Sequence, residues 1–137
     1  MHRRSFLALS AATLALPLPA FASPNTPYTP ELLKSELAAG KTVFLDFYAT
    51  WCATCAAQRR IIDDLKAANP AYEQSISFIV VDWDIWSDGD LVKQLKIPRR
   101  STLVVLKGDQ ELGRIVAGTA KADIKALMDV ALQAATA

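Results

Sequence analysis

Histidine is almost missing from this chain: His2 is the only one in 137 residues. A triad built on imidazole, or a metal site that relies on imidazole nitrogens, has nothing to use beyond the extreme amino terminus. Excess charge is missing too, since 15 Lys and Arg against 14 Asp and Glu leave a formal net charge of +1. A near-neutral domain has no general attraction for nucleic acid or anionic lipid, so neither is expected as a partner. No apolar run reaches the roughly 20 residues of a membrane-spanning helix, and Phe6 to Leu16 is about half that length. Stable membrane insertion is therefore not expected. There is no internal repeat and no low-complexity tract. Cysteine is down to 2 residues, Cys52 and Cys55, and these carry the chemistry that remains.

The amino terminus sets the compartment. Arg3 and Arg4 precede the apolar run, Pro17 and Pro19 break it, and Ala20-Phe21-Ala22 closes it as an A-x-A cleavage site. That order describes a bacterial secretory signal over residues 1–22. The segment "RRSFL" resembles a twin-arginine export signal, with the general export route as the alternative. Either route implies a periplasmic location, where disulfides persist. Residues 23–28, "SPNTPY", are expected to be a mobile Pro-rich linker, and residues 29–137 a single domain with one core.

Within that domain, Thr29-Pro30-Glu31 opens a helix that Gly40 closes. "TVFLDFY", Thr42 to Tyr48, reads as a strand, and a helix runs from near Cys52 to Ala68, stopped by Asn69-Pro70. "ISFIVVD", Ile76 to Asp82, has the continuous apolar character of a strand buried on both faces. "WDIWSDG" reads as a loop and "DLVKQLK" as a short helix capped by Asp88 or Asp90. Thr102 to Lys107 and Glu111 to Gly118 read as a hairpin, and "KADIKALMDVALQAA" as a closing amphipathic helix. The order α-β-α-β-α-β-β-α predicts an α/β protein with a central mixed sheet flanked by helices on both faces.

The C-x-x-C pair admits three uses. As a staple it is poor, because so short a loop barely restrains the unfolded chain. As a zinc site it is incomplete, because two thiols without imidazole leave two positions empty; a soft copper(I) carrier stays conceivable. As a redox pair it fits its place. Cys52 falls at a helix start, where free N–H groups and the helix dipole favour the thiolate. Cys55 follows one turn later on the same side and can attack a mixed disulfide formed by Cys52. Asp46 is a charge inside an apolar strand; alternation does not settle which way it points, and burial would raise its pKa.

"FLDFYATWCATC" and "STLVVLKGDQELGRIVAG" resemble the active-site and hairpin segments of thioredoxin-fold proteins, and the likeness covers most of the domain. The resemblance implies a thioredoxin fold with Cys52 as nucleophile and Cys55 as resolving cysteine. It implies Trp51 as the aromatic flank and Asp46 as the buried acid that helps move the Cys55 proton. It places Ser101 where the family has a cis-proline, with Pro98 as the less favoured alignment. Ser101 then shapes the substrate groove, with Arg100 and Thr102 beside it. Its hydroxyl would lie near Cys52, able to donate to the thiolate or to admit a metal. Two further departures are Ala53-Thr54 between the cysteines and the lack of a lysine for Asp46 on the following strand. Arg59, Arg60, Arg99 and Arg100 read as solvated charges, with the alternative that they flank the active site and favour a thiolate or acidic partners, and Trp83 and Trp86 read either as a docking lip or as packing.

The expected function is a periplasmic thiol–disulfide oxidoreductase that reduces disulfides in partner proteins. It would be a monomer, without cofactor or metal, supplied with electrons by a membrane donor. The alternatives are a thiol-based metal-binding or assembly factor on the same scaffold, a disulfide oxidase or isomerase, and a redox-inactive binding module that uses the fold as a scaffold.

Overall fold

The computed structural model describes residues 25–137, so the expected signal peptide over residues 1–22 lies outside the described residues. Eleven elements follow one another: β1 (Thr26–Pro27), α1 (Pro30–Ala38), β2 (Thr42–Tyr48), α2 (Ala53–Ala68), α3 (Ala71–Ser75), β3 (Ile76–Asp82), α4 (Trp83–Trp86), α5 (Asp90–Leu95), β4 (Thr102–Lys107), β5 (Gln110–Val116) and α6 (Lys121–Thr136). The sheet order is β1-β3-β2-β4-β5. β1, β3 and β2 run parallel, β4 lies antiparallel to β2, and β5 lies antiparallel to β4.

Alternation along β2 sorts the two faces. Val43, Leu45 and Phe47 join a core with Leu33, Ile79, Val81 and Val104. Phe44 points the other way, into a core with Ile62, Leu65, Tyr72, Leu103 and Met128. A strand with period-2 side chains places Asp46 on the Phe44 side, the face that α2 covers. The two apolar layers explain why β2 reads as an unbroken hydrophobic run.

The sequence signals work locally as expected at α1, where Thr29 Oγ1 accepts from the Leu32 N–H at 3.1 Å and Pro30 sits in the first turn. Five details differ. The linker expectation fails in its second half: Thr26–Pro27 pairs with Ile79 and Val80, the Tyr28 N–H donates to the Val80 carbonyl at 2.8 Å, and Tyr28 is buried. Asn69-Pro70 stops α2 but also starts α3, because the proline φ of −59° suits a first turn and Asn69 Oδ1 accepts from the Ala71 N–H. "WDIW" is a helical turn, not a loop, capped by Asp82 through the Asp84 N–H at 2.9 Å. α5 begins after Gly89, with no side-chain cap from Asp88 or Asp90. β5 starts at Gln110 and stops at Val116, next to Ala117 in the left-handed region at φ 60°.

Candidate active site

Both cysteines hang on the junction between β2, the central strand, and α2. Cys52 is the N-cap of α2, in extended backbone, and its Sγ accepts from the Cys55 N–H at 3.2 Å. This is the capping geometry of a serine or aspartate with sulfur in the oxygen's place, and it favours negative charge on that sulfur. Cys52 keeps 5% of its surface exposed and Cys55 keeps none, so a visiting molecule meets Cys52 first. Both thiols are free. Ala49 lies with them beneath Tyr48 and Trp83.

Ser101 sits directly behind the pair. Its Oγ is 3.1 Å from Cys52 Sγ and 3.0 Å from Cys55 Sγ. Its backbone is left-handed at φ 62°, and no peptide bond among the described residues is cis. Serine does not adopt that region freely, and three bonds hold it there. The Ser101 N–H donates to the Phe47 carbonyl at 2.7 Å, and the Ser101 carbonyl accepts from the Ala117 N–H at 2.8 Å and from Gln58 Nε2 at 3.0 Å.

The electrostatics separate the two sulfurs. Burial opposes the Cys52 thiolate most strongly. Interaction with the Cys55 side chain, together with hydrogen bonds from the Ser101 hydroxyl, the Cys55 N–H and the Arg100 side chain, outweighs it and brings Cys52 down to about 7. Cys55 moves up, first through burial and then through its neighbour Cys52.

Asp46 is buried, and its Oδ2 accepts from Arg59 Nε at 3.2 Å and Nη2 at 2.8 Å, while its Oδ1 has no hydrogen-bond partner. The Arg59 guanidinium also lies 4.4 Å over the Tyr48 ring. The expectation that Arg59 is simply solvated is thus corrected, and Asp46 has cationic neighbours after all, Arg59 and Lys66, both from α2 rather than from the next strand. Burial nonetheless dominates, and the Asp46 pKa is raised. Neither Asp46 oxygen is hydrogen-bonded to Cys55; the Cys55 sulfur instead meets Ser101 Oγ at 3.0 Å, the Phe47 carbonyl at 4.0 Å, Cys52 and the Ala49 backbone.

Trp51 is 58% exposed beside the pair. Its Nε1 donates to both Asp84 oxygens, at 2.9 and 3.1 Å, and the Arg100 guanidinium stacks 4.4 Å over its ring. Trp51, Arg100, Ser101 and both cysteines therefore converge. Thr102 does not join them, because it is fully buried and its hydroxyl donates to the Arg99 carbonyl at 2.7 Å. Trp83 packs against the cysteine cluster, and Trp86 sets its edge on Tyr28 at 5.0 Å, so both serve packing.

Two residues were missed by sequence reasoning. Gln58 is polar yet wholly buried in the α2 stripe Cys55, Gln58, Ile62, Leu65, and its spacing one turn after Cys55 was the available signal. Asp84, the Trp51 partner, gave no local signal, because the contact spans 33 positions. For a metal, the convergent donors are two thiols and one hydroxyl; among the described residues no group of 3 or more His, Cys, Asp or Glu gathers. A separate cavity lined by Tyr28, Leu33, Trp86 and Leu91 contains no thiol, so it is not part of this site.

The family model for Thioredoxin matches residues 25–130. Mitochondrial thioredoxin-2 of Schizosaccharomyces pombe is 33% identical over 93 residues, covering 68% of this chain and 62% of that protein. The chain thus spans less than two thirds of that relative. Thioredoxin of Mycobacterium bovis is 27% identical over 95 residues, covering 69% of this chain and 78% of that protein. Among solved structures, Trxlp from Edwardsiella tarda superposes with a TM-score of 0.65 at 28% identity, covering 74% of this chain and 96% of that one.

Proposed function

This chain belongs to the thioredoxin family, with the thioredoxin fold, and from that premise we propose that it is a periplasmic oxidoreductase that reduces disulfides in partner proteins. The observation that carries the reading is the inequality of the two thiols. Cys52 is capped, reachable and near neutrality at about 7, whereas Cys55 is enclosed with its proton held more tightly. The Cys52 thiolate attacks a substrate disulfide and a substrate thiolate leaves. Cys55 then attacks Cys52 Sγ, the substrate's second sulfur departs, and the protein holds the new disulfide. Each turn moves two electrons from the cysteine pair to the substrate.

A leading thiol near 7 supports reduction over oxidation, since strongly oxidising members of this class lower that thiol to about 3.5. Trp51 and Arg100 form the exposed rim beside Cys52 and are the proposed contacts for the incoming protein segment. Ser101 is read as the residue at the family's cis-proline position. The pattern of residues 1–22 supports export, with a twin-arginine route preferred. A periplasmic reductant needs a source of electrons, and a membrane donor is the proposed supplier. Among the described residues no helix is long and apolar enough to cross a membrane, and the protein is proposed to work as a monomer.

The test is reduction of insulin disulfides with dithiothreitol as electron source. The intact protein should accelerate precipitation of the insulin B chain, and Cys52→Ser should remove the acceleration. Equal rates with and without Cys52 would overturn the proposal.

A further inference from the structure

One hydroxyl lies within hydrogen-bond reach of both sulfurs, and a hydroxyl has one proton to give and lone pairs to accept. It cannot donate to both. The helix start decides the direction. Cys52 Sγ already accepts the Cys55 N–H and sits at the positive end of α2, so negative charge belongs there, and Cys55 keeps the proton. We propose that Ser101 joins the two sulfurs in a single directed chain, accepting from the Cys55 thiol and donating to the Cys52 thiolate, and thereby biases the protein toward its reduced dithiol. This rests on the disulfide exchange proposed above and sets a limit on its reducing power, because a stabilised dithiol gives up its electrons less readily.

The bias follows from what oxidation removes. In the disulfide neither sulfur carries a proton or a charge. The hydroxyl then loses both its donor and its charged acceptor, and a disulfide sulfur is a weak substitute. A contact made mainly with the reduced form shifts the couple toward that form. In the resolving step the Cys55–Cys52 S–S bond forms and the Cys52–substrate S–S bond breaks. The Cys55 proton passes to Ser101 Oγ while the hydroxyl proton passes to the departing substrate sulfur, so the serine ends as it began.

The placement is costly, which argues for a role. Serine is held at φ 62° by its own N–H, by Ala117 and by Gln58. The charged and titratable groups acting on Cys52 are Cys55 from α2 and Arg100 from the loop before β4. The carboxylate nearest in the sheet, Asp46, is engaged by Arg59.

The experiment uses Ser101→Gly and Ser101→Ala in the otherwise intact protein. Glycine relaxes the left-handed backbone and alanine keeps its strain, but both lack the hydroxyl. Thermal unfolding confirms that each is folded. Thiolate absorbance should show Cys52 titrating about one pH unit higher in both variants, the size expected for losing a hydrogen bond to a charged group. In glutathione buffers the midpoint of both should move about 30 mV more negative, the equivalent of a tenfold change in a two-electron couple. A glycine variant that titrates and equilibrates like the parent would overturn the inference, as would a shift confined to the alanine variant. If both variants shift but the parent fails to reduce insulin, this inference stands and the proposed function falls.

Discussion

Gln58 and Ser101 are tied together across the site: the Gln58 Nε2 donates to the Ser101 carbonyl at 3.0 Å and to the Gly118 carbonyl at 2.9 Å. One side chain of the cysteine-bearing helix thus fastens the segment before β4 to the segment after β5. Replacing it with methionine keeps the volume but strips a donor from two carbonyls. Gln58→Met should cost about 1–3 kcal/mol in urea unfolding, the range for leaving buried polar groups unpaired. A cost below about 0.5 kcal/mol would mean that the Gln58 bonds do not hold the two segments.

Cys52 is lowered from 9.0 to about 7, with burial opposing the thiolate and hydrogen bonds from Cys55 and Ser101 overcoming that opposition. Alkylation by iodoacetamide should therefore rise with pH and reach half its plateau near 7. Cys55→Ser should still be alkylated at Cys52 and should accumulate a mixed disulfide with substrate, because nothing remains to resolve it. A half-plateau near 9 would show that the cap and the hydroxyl do not act on the sulfur.

Asp46 predicts a pH dependence of opposite sense to that of most carboxylates. Its folded pKa is raised above the ordinary 3.8, chiefly by burial. The folded state then binds the proton more tightly than the unfolded one. The stability this gives is present in full below pH 3.8 and is lost as pH rises through the folded value. Compared with Asp46→Asn, the parent should lose relative stability as pH rises from about 4 through the folded pKa of Asp46 in parallel urea titrations. A parent that gains on the variant over that range would show instead that Arg59 governs the carboxyl.

Arg59 keeps about a fifth of its side chain exposed while its partner Asp46 is buried. Arg59→Ala leaves the carboxylate enclosed without its cation. Removing one member of a buried pair costs about 3–5 kcal/mol, and partial exposure of Arg59 together with proton uptake by Asp46 should bring this case to about 2 kcal/mol at a pH where the parent carboxyl is ionised. The loss should shrink in acid, where Asp46 takes up a proton. A loss that does not change with pH would point to packing over Tyr48 as the main role of Arg59.

The architecture was legible in the sequence because its signals are local. Thr29-Pro30 marked α1, the run Thr42 to Tyr48 marked β2, and a C-x-x-C after that strand marked the helix start. What escaped was either short or long-range. Thr26–Pro27 is a strand only because β3 offers it an edge, and "WDIW" turns helical because Asp82 caps it. Nothing near Asp46 announced Arg59, since 13 positions and a reversal of the chain separate them. Ser101 could be aligned by resemblance, but its reach to both sulfurs depends on a left-handed backbone that serine does not advertise.

The sheet order places β2 between β3 and β4, with two neighbours bonded along its length. Its amides should therefore be among the slowest in the domain to exchange with deuterated solvent. The thiols are suspended from the end of that slow segment. Repeated making and breaking of sulfur bonds can then be absorbed within Ala49 to Cys55, while the frame behind them stays closed from one turnover to the next.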